Sequence, residues 1–453
     1  MIDSLLYKSW HFSVGLMTFL LVFCTTTDNH AEGLLSVYHQ AVASSPVLAT
    51  SQALLEANRA ARPLARAELM PKLDIAAGIS RNHTEIVGLG PFESDQSYTG
   101  NFYSISLTQP LFNGPAYIAQ DVAEADIRAG QATLQVTEQQ LMVLVAEAYF
   151  AVIQAQADVN VANNKRSLLL KILDQTETFR KVGTGDIIAV HEARARADAS
   201  ESGLVLAKNS LRLAKQNLQS LTHQPCGQLN DLGFIEAELP KPNHIESWVQ
   251  AALIHQPRLH RARQELQAAQ QQAIIASRTR WPRLDLDVRF SHAKGELLPE
   301  MERDEVFAAL KMRFPLYQGG EIGAKTWQAR SLARASRSSL EDLQDQVRLR
   351  TETAFFNLQN SVALLNAASQ ALTSARTSLD ATREGYQVGV RSVIDLLSAV
   401  QEFTTVQRNY HVSLYNHVTA RIQLKAAAGV LAVEDLEALN ALLLPADENP
   451  GPS

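Results

Sequence analysis

The stretch GGEIGAKT, Gly319 to Thr326, gathers glycines, a lysine and a threonine as a phosphate-binding loop does. That loop needs Gly-Lys-Thr in succession, so that backbone N–H groups and the lysine reach the phosphates together. Here Ala324 precedes Lys325, and nucleotide binding is not expected. The 12 histidines are scattered. The pair in HQPRLH, His255 and His260, has no further ligand nearby, which favours ordinary surface or core histidines over a metal site. No Ser/His/Asp pattern with a nucleophile elbow occurs. Cys24 and Cys226 match no zinc or redox spacing, so no disulfide is expected. Asn82-His83-Thr84 is a glycosylation sequon in form only. Neither an enzyme nor a cofactor or metal protein is expected.

Two related phrases carry a different kind of chemistry. In KVGTGD (181–186), Gly183 can take the left-handed conformation that ends a helix, and Asp186 can cap the next one. QVGVRS (387–392) repeats the device with Gly389 and Ser392. These are the ends of helical hairpins, and their positioning elements are long. From Gly114 to Thr178 no proline follows Pro115, and apolar residues recur at spacings of three and four. About 65 residues at ~1.5 Å each make a rod near ~100 Å. Its counterpart runs from about Ile322 to Thr382, and shorter helices are expected near 34–69, 184–221, 244–280 and 392–428.

Within each half the period switches from 3.6 to 2. Leu284, Leu286, Val288 and Phe290 alternate with Arg283, Asp285, Asp287 and Arg289; Tyr103, Ile105 and Leu107 alternate with serines and a threonine; Leu310, Met312 and Phe314 alternate with Ala309, Lys311 and Arg313. Leu73, Ile75, Ala77 and Ile79 make a weaker fourth strand. The spacing predicts strand pairs at 72–88 with 99–112 and at 282–296 with 303–317. Runs of this length, oily on one face and wet on the other, fit tilted strands with lipid outside and water within; a soluble sandwich or sheet edge is the other reading of alternation alone. Four strands cannot close a barrel, and open edges are not tolerated in lipid, so several chains must contribute.

The landmarks recur in order. PKLDIAAGIS (71–80) and PRLDLDVRFS (282–291) lie 211 residues apart, PLFNGP at Pro110 and PLYQGG at Pro315 lie 205 apart, and VGTGDIIAVHEAR (182–194) and VGVRSVIDLLSAV (388–400) lie 206 apart. The chain is therefore a tandem duplication, far beyond solenoid periods. The first repeat is placed at 32–221, a connector rich in proline and glycine at 222–243, the second repeat at 244–428 and a tail at 429–453.

Lys8 precedes an apolar run from Phe12 to Phe23, too short to span a membrane, and Ala31 offers a cleavage site, so 1–31 reads as a secretory signal. Cys24 as a lipid-modified first residue is the alternative, against which stands the bulky Phe23. Of 453 residues 46% are hydrophobic, and 47 acidic against 41 basic residues give a net charge of −6. No basic face exists for phosphate neutralisation, and nucleic acid is not an expected partner.

The duplicated pattern of strand pair and long hairpin, with LTQPLFNGP and MRFPLYQGG after the second strand of each copy, resembles the TolC family of trimeric outer-membrane export ducts. EAYFAVIQA (147–155), YQVGVRSVIDLLSA (386–399) and AAGVLAVEDLEALN (427–440) are similar to its TolC-type members rather than to lipid-anchored relatives. The resemblance covers about Leu34 to Leu444. It implies an α+β membrane protein: a homotrimer whose chains give four strands each to one barrel of about 12, above a long periplasmic helical barrel with coiled-coil hairpins. It further implies outer-membrane lipid around the barrel, and docking to a periplasmic adaptor and an inner-membrane pump, of ABC, RND or similar type, for drug efflux and type I secretion.

The resemblance also implies site residues. Tyr386 and Arg391 match the family's closing motif at the periplasmic mouth, and Asp395 its lumen carboxylate ring, where three copies would attract cations. A solvated helix-start carboxylate offsetting the macrodipole is an equal reading of Asp395. Ala189 stands where the first copy's aspartate is expected and Ser398 where a second carboxylate ring would lie, which makes Asp186 the substitute partner for Arg391. Val182, Gly183, Thr184, Val388, Gly389 and Val390 match the adaptor-contact tips, although the glycines would turn the chain in any case. The rival functions are a periplasmic coiled-coil adaptor, which needs one central hairpin and small β-domains, and a poreless structural envelope protein.

Overall fold

A computed structural model describes residues 32–87, 90, 94–233, 235–295 and 301–444. The expected signal segment, 1–31, lies outside them. Helix dominates. The chain opens with α1 (Leu34–Ser44), α2 (Pro46–Arg59) and α3 (Ala61–Ala67), passes through β1 (Lys72–Ile86) and β2 (Ser94–Asn113), and enters the long α4 (Gly114–Lys181), followed by α5 (Ile187–Thr222) and the short β3 (Asp231–Leu232). The order then repeats with α6 (Ile245–His255), α7 (Pro257–Arg278), β4 (Arg283–Lys294), β5 (Glu302–Arg313), the long α8 (Glu321–Gln387) and α9 (Val393–Ala427), ending in α10 (Val433–Asn440) and β6 (Leu443–Leu444).

The single helices expected over 34–69 and 244–280 are each broken. Pro46 and Pro257 open α2 and α7, where a missing N–H costs nothing, and the residue before each proline is extended. The two prolines are 211 residues apart, the same offset as between the strands that follow.

The four long strands form one antiparallel sheet in the order β1-β2-β4-β5, so the halves meet at β2 and β4. The register places Leu73, Leu107, Val288 and Ala308 in one row and Ile75, Ile105, Phe290 and Val306 in the next. Cross-strand partners share a face, so the oily alternation of all four strands falls on the same side. The opposite face is wet. There the Thr108 hydroxyl donates to Asp287 at 2.8 Å, and Lys311 Nζ lies 2.8 Å from the same carboxylate. Among the described residues no further strand pairs with the outer edges of β1 and β5.

The twin phrases do different work. In PLFNGP the strand runs directly into α4, with the Asn113 side chain accepting from Ala116 N and Pro115 in the first turn. In PLYQGG the strand expected to reach residue 317 stops at Arg313, since Pro315 can donate no ladder bond, and Gly319 and Gly320 turn the chain at φ +58° and +85° before α8 starts. In β2 the ladder shifts register between Pro110 and Phe112, a bulge at the sheet's rim.

The 68 residues of α4 span about 100 Å at ~1.5 Å each. Its most apolar stretch is long enough to cross a membrane by composition, but half of it is buried inside the chain. The largest core lies there. Leu141, Val145, Tyr149 and Phe150 of α4 pack with Tyr415, Val418 and Ile422 of α9, Leu34 and Val37 of α1, and Leu436 of α10. The Tyr149 hydroxyl is within hydrogen-bond distance of the carbonyls of Glu32 (3.0 Å) and Asn230 (2.9 Å), which ties both to the core. The stretch expected as a plain connector at 222–243 is thus fastened down: β3 pairs with β6, joining it to the tail.

Candidate functional site

At the far end of the long helices the two hairpins lie side by side. Leu169 and Ile172 of α4, Ala193 and Ala197 of α5, Leu379 of α8, and Val393, Leu396, Leu397 and Val400 of α9 bury one apolar cluster. Burial of these side chains, each worth roughly 1.5–3 kcal/mol for the larger ones, holds the two tips together. The rim is charged, with Arg194 reaching Glu177 at 2.6 Å across the first hairpin; farther up, beside the large core, Arg408 of α9 reaches Asp158 of α4 at 3.3 Å.

Each tip is closed by two crossed backbone bonds. Gly183 N donates to Arg180 O (3.0 Å) and Thr184 N to Phe179 O (3.0 Å); Gly389 N donates to Tyr386 O (3.1 Å) and Val390 N to Gly385 O (2.9 Å). This is the Schellman ending, and it demands the left-handed conformation that both glycines adopt, at φ +85° and +81°. Nothing lies within 4 Å of where a Cβ would stand on either glycine. The flanking side chains are bare: Val182, Val388 and Val390 are 66%, 74% and 75% exposed.

The polar candidates divide. Tyr386 is half-buried against the apolar cluster, its ring centroid 6.3 Å from that of Phe179, so it links the second tip to the first. Asp186 is the N-cap of α5, its carboxylate accepting from Ile188 N at 3.1 Å. Asp395 closes a capping box on α9: its carboxylate accepts from Ser392 N (3.0 Å) and from the Ser392 hydroxyl (2.9 Å), while Asp395 N donates to Ser392 Oγ (3.1 Å). The Ser392 backbone N–H, then its hydroxyl, and then the nearby Arg391 charge hold this carboxyl below the usual aspartate range. Asp395 is nevertheless exposed, so the helix-start role and a role toward solvent coexist.

The expected pairing of Asp186 with Arg391 is not made within one chain. Among the described residues Arg391 forms no ion pair; its exposed side chain lies over Gly385, where an added Cβ would come within 2.8 Å of the arginine Cγ. Asp186 is spent on its own helix. Three contributors were not singled out from sequence: Phe179, Gly385 and Gly185. The doubled glycines of VGTGD and EGYQVG were the available signal, since a Cβ on Gly185 would meet the Arg180 backbone nitrogen at 2.7 Å. No group of three or more histidine, cysteine or acidic side chains placed to hold a metal occurs among the described residues.

Relatives share this plan. The chain is 28% identical over 417 residues to outer membrane protein TolC of Vibrio cholerae, covering 91% of this chain and 94% of that protein. It is 28% identical over 421 residues to the alkaline protease secretion protein AprF of Pseudomonas aeruginosa, covering 90% and 87%. The solved CmeC outer membrane channel of Campylobacter jejuni superposes with a TM-score of 0.79 at 16% identity, covering 98% of both chains, and so shares the fold. The model of the outer membrane efflux protein family matches residues 37–223 and 248–430, one match in each half. With both repeats matched, the chain belongs to the outer membrane efflux protein family, whose members lie in the bacterial outer membrane.

Proposed function

We propose that three copies of this chain close into one channel-tunnel that exports drugs, proteins or both, with the hairpin tips docking to a periplasmic adaptor and an inner-membrane pump. One observation carries the reading. A four-stranded sheet leaves both edges unpaired and an apolar face bare, with Ile75 72% and Val306 78% exposed, and it continues directly into a helix of 68 residues. Edge closure by neighbouring copies satisfies the backbone, lipid covers the face, and the helices line a passage across the periplasm. The secretion protein named above supports a protein cargo, and the efflux family supports small molecules.

On this reading the exposed Val182, Gly183, Thr184, Val388, Gly389 and Val390 form the adaptor-contact tips, and Tyr386, Arg391 and Asp186 belong to the closing mouth. Among the described residues Arg391 forms no ion pair, which leaves its donors for a neighbouring copy. Asp395 supplies a ring of carboxylates that favours cations.

Outer-membrane fractions should yield a heat-modifiable trimer that conducts in planar bilayers. Val288→Arg, in the middle of the apolar rows, should cost about 2–4 kcal/mol per chain and block assembly. Asp287→Asn keeps an acceptor for Thr108 on the wet face and should assemble. Equal assembly of both variants, or a monomer without conductance, would overturn the proposal.

A further inference from the structure

Roughly midway along the helices, α4, α7, α8 and α9 enclose a cleft of about 870 Å³. Two guanidinium groups, Arg258 of α7 and Arg350 of α8, stand in its wall. Among the described residues neither forms an ion pair or a side-chain hydrogen bond. Burial first, and then the like charges of Arg350 and Arg261, hold Arg258 below its ordinary value. The carboxylate on the wall, Glu147, accepts from Gln423 Nε2 at 2.8 Å and pairs with neither arginine. Like charges gathered without an ion pair cost stability, and an anion from outside would offset that cost.

The apolar part of the wall is equally uncovered. Leu144 and Leu349 are 51% and 64% exposed. On α4 the cleft residues Gln140, Leu144 and Glu147 lie opposite Leu141, Val145 and Tyr149, which belong to the core shared with α1 and α10, while Val143 sits at the border and also packs on that core. The cleft therefore opens on the face of the helical wall that the small outer layer leaves bare. In a tube of three copies that face is the lumen.

We infer that this cleft is a cargo subsite for amphiphilic organic anions: the carboxylate or sulfonate sits between Arg258 and Arg350, and the apolar body lies on Leu144 and Leu349. Guanidinium forks suit planar and three-oxygen anions, and the side-chain amide of Gln140 can orient them, together with the one N–H of Gln346 that is not donated to Asp342. The lumen position rests on the channel reading; the binding chemistry does not.

The test is equilibrium dialysis of 1-naphthalenesulfonate against the purified full-length protein in a nonionic detergent, beside planar-bilayer conductance of the same preparation. Wild type should bind the sulfonate, the double variant Arg258→Gln/Arg350→Gln should bind it at least tenfold more weakly, and the corresponding naphthylmethylammonium cation should bind equally to both. Arg258→Lys/Arg350→Lys, which keeps the charge but loses the fork, should be intermediate. Unchanged sulfonate binding in the Gln variant with unchanged thermal melting, or equal binding of sulfonate and ammonium to wild type, overturns the subsite. Should the Gln variant fail to fold, the ratio of sulfonate to ammonium binding in wild type decides. Absence of conductance with sulfonate binding intact would sink the channel reading and leave the subsite standing.

Discussion

Gly183 and Gly389 sit at φ +85° and +81°, 206 residues apart, and the bonds that close each tip connect equivalent residues. The side chains around that shared backbone differ. Where the second tip has Arg391, Ser392 and Asp395, the first has Gly185, Asp186 and Ala189. The second tip thus carries a cation with no ion pair among the described residues and a full capping box, whereas the first carries a lone N-cap and a glycine pressed against the Arg180 backbone. Duplication preserved what turns the chain and released what the turn displays. A helix ending is satisfied by two backbone bonds and a left-handed residue, so the neighbouring positions are free to specialise. On the proposed reading the second hairpin specialised toward the mouth.

The largest effect should come from Arg391→Ser. Charge-assisted bonds to a neighbouring copy, each worth about 1.5–3 kcal/mol, would be lost at three symmetric places. Single-trimer conductance should rise, while Asp186→Ala in the first tip, where the carboxylate is already engaged as the cap of α5, should raise it much less. A similar rise for both variants would erase the distinction between the tips. Next comes Gly185→Arg, which gives the first tip the residue found at the matching place in the second. Its Cβ meets backbone at 2.7 Å, so the first turn must open, and adaptor cross-linking at Thr184 should fall while trimers persist.

Asp395→Ala should act on selectivity, reducing the cation preference read from reversal potentials. The sign with pH follows from its carboxyl lying below the usual range: the charge, and the cap it provides, are present above the ordinary aspartate value and are lost only as pH falls through the lowered one. Cation preference should therefore persist in mild acid. Arg391→Ser removes one cause of the lowering and should move that loss to slightly higher pH. The smallest effects should come from Gly183→Ala and Gly389→Ala. Both positions have open space and left-handed backbone, so each should lose about 1 kcal/mol, and thermal melting should shift equally for the two.

Much of the molecule was legible residue by residue. Alternation at Leu284–Phe290 and at Tyr103–Leu107 marked strands, and the absence of proline between Pro115 and the first tip marked one long helix, because strand and helix periods are properties of neighbouring residues. The breaks at Pro46 and Pro257 were equally local signals. The helical pattern continues on both sides of each proline, which masks the break in the sequence. The strand end at Arg313 belongs to the same class: Pro315 announced it.

What the sequence by itself determined is the tandem repeat, the elements of each copy, the tips with their capping residues and the family. Tertiary structure alone decided that β2 and β4 join the halves, that Asp186 is spent on its own helix while Arg391 forms no ion pair among the described residues, and that Arg258 and Arg350 line one cleft. The reason is range. Caps, turns and periodicity are settled within a few residues of chain, whereas the company a charged side chain keeps depends on how helices distant in sequence pack, and an arginine on a helix reads the same whether it ends beside water, a carboxylate or a second arginine.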